Sequence, residues 1–151
     1  MRLDYAALTP EPSKHLFAIS AAVRRSALPG TIRELTAVYI SQLNGCAHCI
    51  AVHWEKALAE GVPEQQLRVL PAAEVVHGDW LSLYDRATAI ALRLAHTVTV
   101  APGSGVDEEL WDSAVAVLGE ETLMWLVHHI MLMNAWNRLS VTLRIEPPES
   151  I

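Results

Sequence analysis

A chain of 151 residues, 52% hydrophobic and 19% charged, is long enough to bury a core of its own, so neither a disulfide nor a metal is needed merely to fold it. Its net charge of −6, with no basic cluster larger than Arg24-Arg25, argues against a nucleic-acid partner, because no run of phosphates could be neutralised. The apolar surplus, which includes five Trp and one Phe, predicts a homo-oligomer with part of its surface hidden between subunits.

The opening "MRLDYAALTPEPSK" carries Asp4 and two prolines where a secretory signal needs an unbroken apolar run, so the expected location is the cytoplasm. Apolar residues then recur at helical spacing almost throughout, and no strict alternation is long enough for a sheet. The expected fold is all-α, a compact single-domain bundle of about six to seven helices spanning residues 1–151. A first helix is expected from about Ser13 to Ser26, after an irregular "TPEPS", with "LPG" breaking it. Thr31 opens a second, with Ile32, Leu35, Val38, Tyr39 and Leu43 along one side and Asn44-Gly45 as its stop. The cysteine helix begins there and ends at Gly61; "PEQQLRVL" forms a short helix ending at Pro71. Beyond the linker "PAAEVVHG", a long helix is expected from about Asp79 to Thr97, and "VAPGSGV" reads as a loop. Two more helices follow, about Asp107 to Leu118 and Glu120 to Leu143, before the tail "EPPESI". The most apolar stretch, residues 123 to 136, is interrupted by His128 and His129 and falls short of the roughly 20 residues of a membrane span, so it reads as a core or interface helix, with no membrane partner.

The chemistry concentrates in "GCAHCIAVHWEKALAEG". Cys46 and Cys49 are the only cysteines, with His48 between them and His53 four residues after the second. At about 100° per residue, Cys46, Cys49 and His53 fall within an arc of roughly 60° on one helix face. The first turn's unpaired N–H groups and the helix dipole favour a thiolate at Cys46 and, less strongly, at Cys49. His53 could accept or return a proton, and thiols at this spacing can close into a disulfide. Three other readings compete. Two small buried core residues beside a satisfied histidine would account for each residue but not for the constellation. A zinc site would take Cys46, Cys49 and His53 with His48, His128 or His129 as a fourth ligand, but no second tight ligand pair is present. A thioredoxin-like site would need a strand before the motif.

The pattern of Glu34, then Cys46 twelve residues on, then His48, Cys49 and His53, resembles the AhpD-like (alkyl hydroperoxidase D) branch of the carboxymuconolactone decarboxylase superfamily. The flanking "RELTAVYISQLNGCAHCIAVHWEKALAEGVPEQQL" and the late "MNAWNRLS" are similar to the same family, strongly over roughly residues 30 to 70. The resemblance implies a thiol-dependent peroxidase: Cys49 peroxidatic, Cys46 resolving, His53 and Glu34 a proton relay, His48 an auxiliary. It further implies a small peroxide substrate, no bound cofactor or metal, an external dithiol reductant such as a lipoylated protein, and assembly as a trimer or hexamer. Helix-end electrostatics alone would activate Cys46 more than Cys49, so the resemblance and the dipole differ over which sulfur attacks. The decarboxylase branch, which the resemblance associates with acid/base chemistry without a cysteine pair, fits less well. A non-enzymatic redox sensor of the same fold is the alternative from another class.

Glu34 also admits a plainer role, because Thr31-x-x-Glu34 is the pattern of a capping box. His128-His129 reads as one core and one surface histidine. Asn134 and Arg138, four apart, are expected to make packing or subunit contacts, and Trp54, Trp80, Trp125 and Trp136 to build core or interface. "PGSG" lacks the context of a phosphate cradle.

Overall fold

The computed structural model describes residues 1–70, 83–100, 103 and 105–148. Among these residues every regular element is helical: α1 (Tyr5–Leu8), α2 (Pro10–Arg24), α3 (Gly30–Leu43), α4 (Ala47–Ala59), α5 (Glu64–Val69), α6 (Arg86–Val100), α7 (Glu108–Leu118) and α8 (Glu120–Leu143). The all-α expectation stands, with the four-residue α1 as the element added to the seven expected.

Two boundaries differ for local reasons. The "TPEPS" segment is not irregular: Pro10 and Pro12 lie in the first turn of α2, where a missing N–H costs nothing and a fixed φ suits the helix. The long helix expected from Asp79 starts instead at Arg86, because Asp85 caps it, its carboxylate accepting the Thr88 N–H at 2.7 Å. Asp79, Trp80 and the "PAAEVVHG" linker lie outside the described residues.

Helix α3 is the axis of the molecule. It was expected to bury one side, yet every residue from Ile32 to Ser41 is buried, because α4, α6 and α8 pack around it. A helix sequestered on all sides must satisfy its polar side chains internally. Thr36 and Ser41 do so by donating to carbonyls one turn back, Ser41 Oγ reaching Ala37 O at 2.7 Å.

The turn from α3 into α4 decides where the cysteines sit. Gly45 adopts φ +66°, a region that favours glycine, and the Cys46 N–H closes back onto Ser41 O at 2.9 Å. Three asparagines clasp this turn to α8. Asn44 Nδ2 donates to Asn134 Oδ1 and Asn137 Oδ1, each at 3.0 Å, and the fully buried Asn137 donates to Ser41 Oγ at 3.1 Å. Asn134 also donates to Thr99 of α6 and accepts from Arg138, so these residues make packing contacts within the chain. No single helix among the described residues is long and apolar enough to cross a membrane.

Candidate active site

Cys46 is the N-cap of α4, and its Sγ accepts the Cys49 N–H at 3.3 Å. The Cα atoms of Cys46 and Cys49 are 5.3 Å apart and their sulfurs lie at disulfide-bonding distance. Both cysteines are buried, but they are not equivalent: Cys49 lines a cavity of about 480 Å³ formed by α1, α2, α3, α4, α8 and the C-terminal tail, and Cys46 does not.

His53, one turn beyond Cys49, also lines this cavity, and its Nδ1 lies 2.6 Å from Glu34 Oε2. The other carboxylate oxygen, Oε1, accepts from Arg33 Nε at 2.9 Å, and Arg33 Nη2 donates to Glu60 Oε1 at 2.7 Å. A chain of alternating acceptors and donors therefore runs Glu60, Arg33, Glu34, His53, from the surface to the cavity. Burial alone would raise the Glu34 carboxyl, but the hydrogen bonds and charges of His53 and Arg33 outweigh it and pull it down to about 2. An ionised carboxylate can only accept, so the proton between the two belongs to His53 Nδ1, and Nε2 is the nitrogen left to take another. This is the arrangement by which a carboxylate fixes a catalytic histidine's tautomer.

The same geometry settles the position of Glu34. Pro29 precedes the first residue of α3, no side chain caps that end, and the carboxylate faces Arg33 and His53 rather than Thr31; the capping-box reading is overturned. Glu60 occupies the end of α3 instead, so close to Gly30 that a Cβ there would collide with its carboxylate. A negative charge at a helix N-terminus is favourable, which accounts for glycine at this position.

The remaining histidines divide. His129 is buried and lines the cavity; its Nε2 donates to Arg33 O at 2.9 Å. Burial, reinforced by the charge of His53, lowers its pKa to about 4, and the neighbouring Glu34 charge only partly opposes this. His128 is exposed and bonds Met124 O. His48 lines the cavity and bonds Glu146 O at 2.8 Å, tying α4 to the tail that follows the left-handed turn at Arg144. Each of these three histidines thus spends a ring nitrogen on a main-chain carbonyl. Among the described residues no group of three or more His, Cys, Asp or Glu side chains is placed to hold a metal ion.

Sequence reasoning missed Arg33 and Glu60. Arg33 stands beside Glu34 in the chain and could have been suspected as its counter-ion, whereas Glu60 is 27 residues from Arg33 and no spacing rule connects them.

The sequence model of the carboxymuconolactone decarboxylase family matches residues 10–95. The chain is 32% identical over 142 residues to the uncharacterized protein YdfG of Bacillus subtilis, covering 94% of this chain and 93% of that one. Its fold matches a crystal structure from Agrobacterium tumefaciens, described as a protein of unknown function provisionally assigned to antioxidant defence as AhpD, with TM-score 0.87, 24% identity and 97% of both chains covered. It also matches the alkylhydroperoxidase AhpD core of a peroxidase-related protein from Ralstonia eutropha, with TM-score 0.79, 18% identity and coverage of 95% of this chain and 74% of that one. The debrominase Bmp8 shares the fold as well, with TM-score 0.78, 17% identity and coverage of 95% and 74%.

Proposed function

We propose, from the premise that this chain belongs to the carboxymuconolactone decarboxylase family, that it is a thiol-dependent peroxidase of the AhpD-like kind. The observation that carries this reading is the placement of Cys49 on the cavity wall, with Cys46 within disulfide reach behind it and a carboxylate-oriented histidine one turn further on. The peroxidase-related and antioxidant descriptions of the Ralstonia and Agrobacterium proteins support it.

In the proposed cycle His53 Nε2 takes the proton of the Cys49 thiol, and the Glu34 carboxylate stabilises the resulting imidazolium. The thiolate attacks one peroxide oxygen. The S–O bond forms as the O–O bond breaks, sulfur is oxidised to the sulfenic acid, and the departing alkoxide leaves as alcohol on receiving the proton from His53. Cys46, favoured as thiolate by its position at the helix start, then attacks the Cys49 sulfur, forming the disulfide and releasing water. An external dithiol, such as a lipoylated protein, exchanges with this disulfide, leaving as its own disulfide and restoring both thiols. Access to the cavity supports first attack by Cys49, against the dipole argument for Cys46. His48 serves as an auxiliary by holding the tail over the site.

The setting proposed with this activity is the cytoplasm, where thiols stay reduced, and a trimer or hexamer of single-domain subunits that covers exposed residues such as Met124, Met131 and Val141. A redox sensor would undergo the same first oxidation but stop there. Dihydrolipoamide with cumene hydroperoxide or hydrogen peroxide separates the two: many equivalents of peroxide consumed per cysteine pair are expected, and consumption that ends at one equivalent would refute the enzyme.

A further inference from the structure

The cavity is far larger than hydrogen peroxide requires, and its walls are not neutral. At about 480 Å³ it falls within the range of sites that enclose drug-sized molecules. One wall is aromatic and held in place: Phe17 and Trp136 stand 5.0 Å apart between ring centres, and Trp136 Nε1 donates to Ser20 Oγ at 3.1 Å. Such a surface suits a flat or branched apolar group. The charges are unbalanced in the opposite sense to the protein as a whole. Among the described residues Glu34 is the only carboxylate lining the cavity, and both its oxygens are already engaged, by Arg33 and His53. Arg24 from α2 and Lys56 from α4 also line it, and neither side chain makes a hydrogen bond or ion pair with any described residue. Two uncompensated cations at the rim of one cavity, in a chain of net charge −6, constitute a local field that favours an anion.

We infer that this cavity binds amphipathic carboxylates, the apolar body lying against Phe17 and Trp136 and the carboxylate reaching Arg24 and Lys56, so that the favoured substrates are organic hydroperoxides carrying an acid group. The inference rests on the peroxidase reading for its substrate but not for its binding site. A hydroperoxide that enters this way is anchored at its charged end, which leaves the peroxide group at its other end to approach Cys49.

The test has two arms. In the first, the hydroperoxides of 4-isopropylbenzoic acid and of its amide are compared as substrates, with dihydrolipoamide as reductant. The acid should be preferred roughly tenfold in kcat/KM, from two partly exposed charges acting on one anion. The preference should fall to near unity in the Arg24→Gln/Lys56→Gln double variant, survive in Arg24→Lys, and survive in Arg25→Gln, which removes an adjacent charge outside the cavity. In the second arm, 4-isopropylbenzoate and its amide, which carry no peroxide, are titrated calorimetrically into the oxidised protein; the acid should bind about tenfold more tightly, and the double variant should erase the difference. Equal use and equal binding of acid and amide by the unaltered protein would overturn the inference, as would a preference that persists in the double variant. If the carboxylate binds selectively while no hydroperoxide turns over, the peroxidase reading fails and the binding site stands.

Discussion

Replacing Glu34 by Gln is a substitution whose consequences can be worked out atom by atom. The carboxylate accepts from two donors at once, Arg33 Nε on Oε1 and His53 Nδ1 on Oε2. Glutamine has one accepting oxygen and one donating NH₂, so it cannot serve both. Arg33 has no alternative role, being a donor only; His53 does. The least costly outcome keeps the amide oxygen on Arg33 and turns the NH₂ toward His53 Nδ1, which must then become the accepting nitrogen. The ring's proton moves to Nε2, and the histidine loses the nitrogen that would take the Cys49 proton. The energetic scale follows from the displacement of the Glu34 carboxyl from 4.5 to about 2, which at ~1.4 kcal/mol per pH unit is about 3 kcal/mol of interaction favouring the charged form. Losing it should lower the melting temperature by roughly 10 °C in a chain of this size. Peroxide turnover should fall by roughly 10² to 10⁴ while the helical circular-dichroism signal persists. Nitrogen NMR of His53 would report the switched tautomer directly. Full turnover by Glu34→Gln across pH 6 to 8, with the His53 tautomer unchanged, would refute the part of Glu34 in the relay and leave the mechanism to Cys46, Cys49 and His53 alone.

Acid stability should show two windows. His129 has a folded pKa near 4 against 6.5 when unfolded, so the unfolded chain binds the proton first and about 3 kcal/mol is lost as pH falls from 6.5 to 4. Glu34, held near 2 against 4.5, contributes stability that is complete above 4.5 and lost from there toward 2. Urea titrations at stepped pH should resolve the upper window, and His129→Gln should flatten it; an unchanged slope in that variant would contradict the assignment. Gly30→Ala tests the Glu60 contact: glycine to alanine in a helix ordinarily stabilises by about 0.5–1 kcal/mol, but here the methyl must push the Glu60 carboxylate aside, so the gain should shrink toward zero, and a full gain would show that the Glu60 contact carries nothing. Light scattering should report a trimer or hexamer, and Met131→Lys, at a side chain 60% exposed in the isolated chain, should shift it toward smaller species; a variant that assembles like the parent would remove Met131 from the interface.

Sequence made the cysteine helix legible because its logic is local. Cys46, Cys49 and His53 share a face through helical periodicity alone, and Asn44-Gly45 announces the turn that aims them. Glu34 was ambiguous for an equally physical reason, since a capping box and a relay carboxylate place the same residue type at the same distance from Thr31, and only the path of α4 past α3 separates them. The prolines of α2 misled because proline breaks a helix in its interior and suits it in its first turn, and the reading hinged on where that first turn lay. Arg33 with Glu60, and Arg24 with Lys56, were invisible as sets. Each pair joins different elements, and a charged residue at a helix surface looks the same in sequence whether it faces solvent or a cavity.

The asparagine clasp has a bearing on synthesis. The turn that launches the cysteines is complete in the chain by Cys46, yet the side chains that hold it, Asn134 and Asn137, lie 90 and 93 residues beyond Asn44. As the polypeptide emerges in order, the Cys-x-x-Cys segment is therefore exposed long before the last helix exists to fix it. For that interval its thiols are two ordinary nucleophiles on a loosely held turn, open to oxidation by partners the finished cavity would exclude. A fragment ending before α8 would carry every residue of the motif and lack the frame that gives the motif its direction.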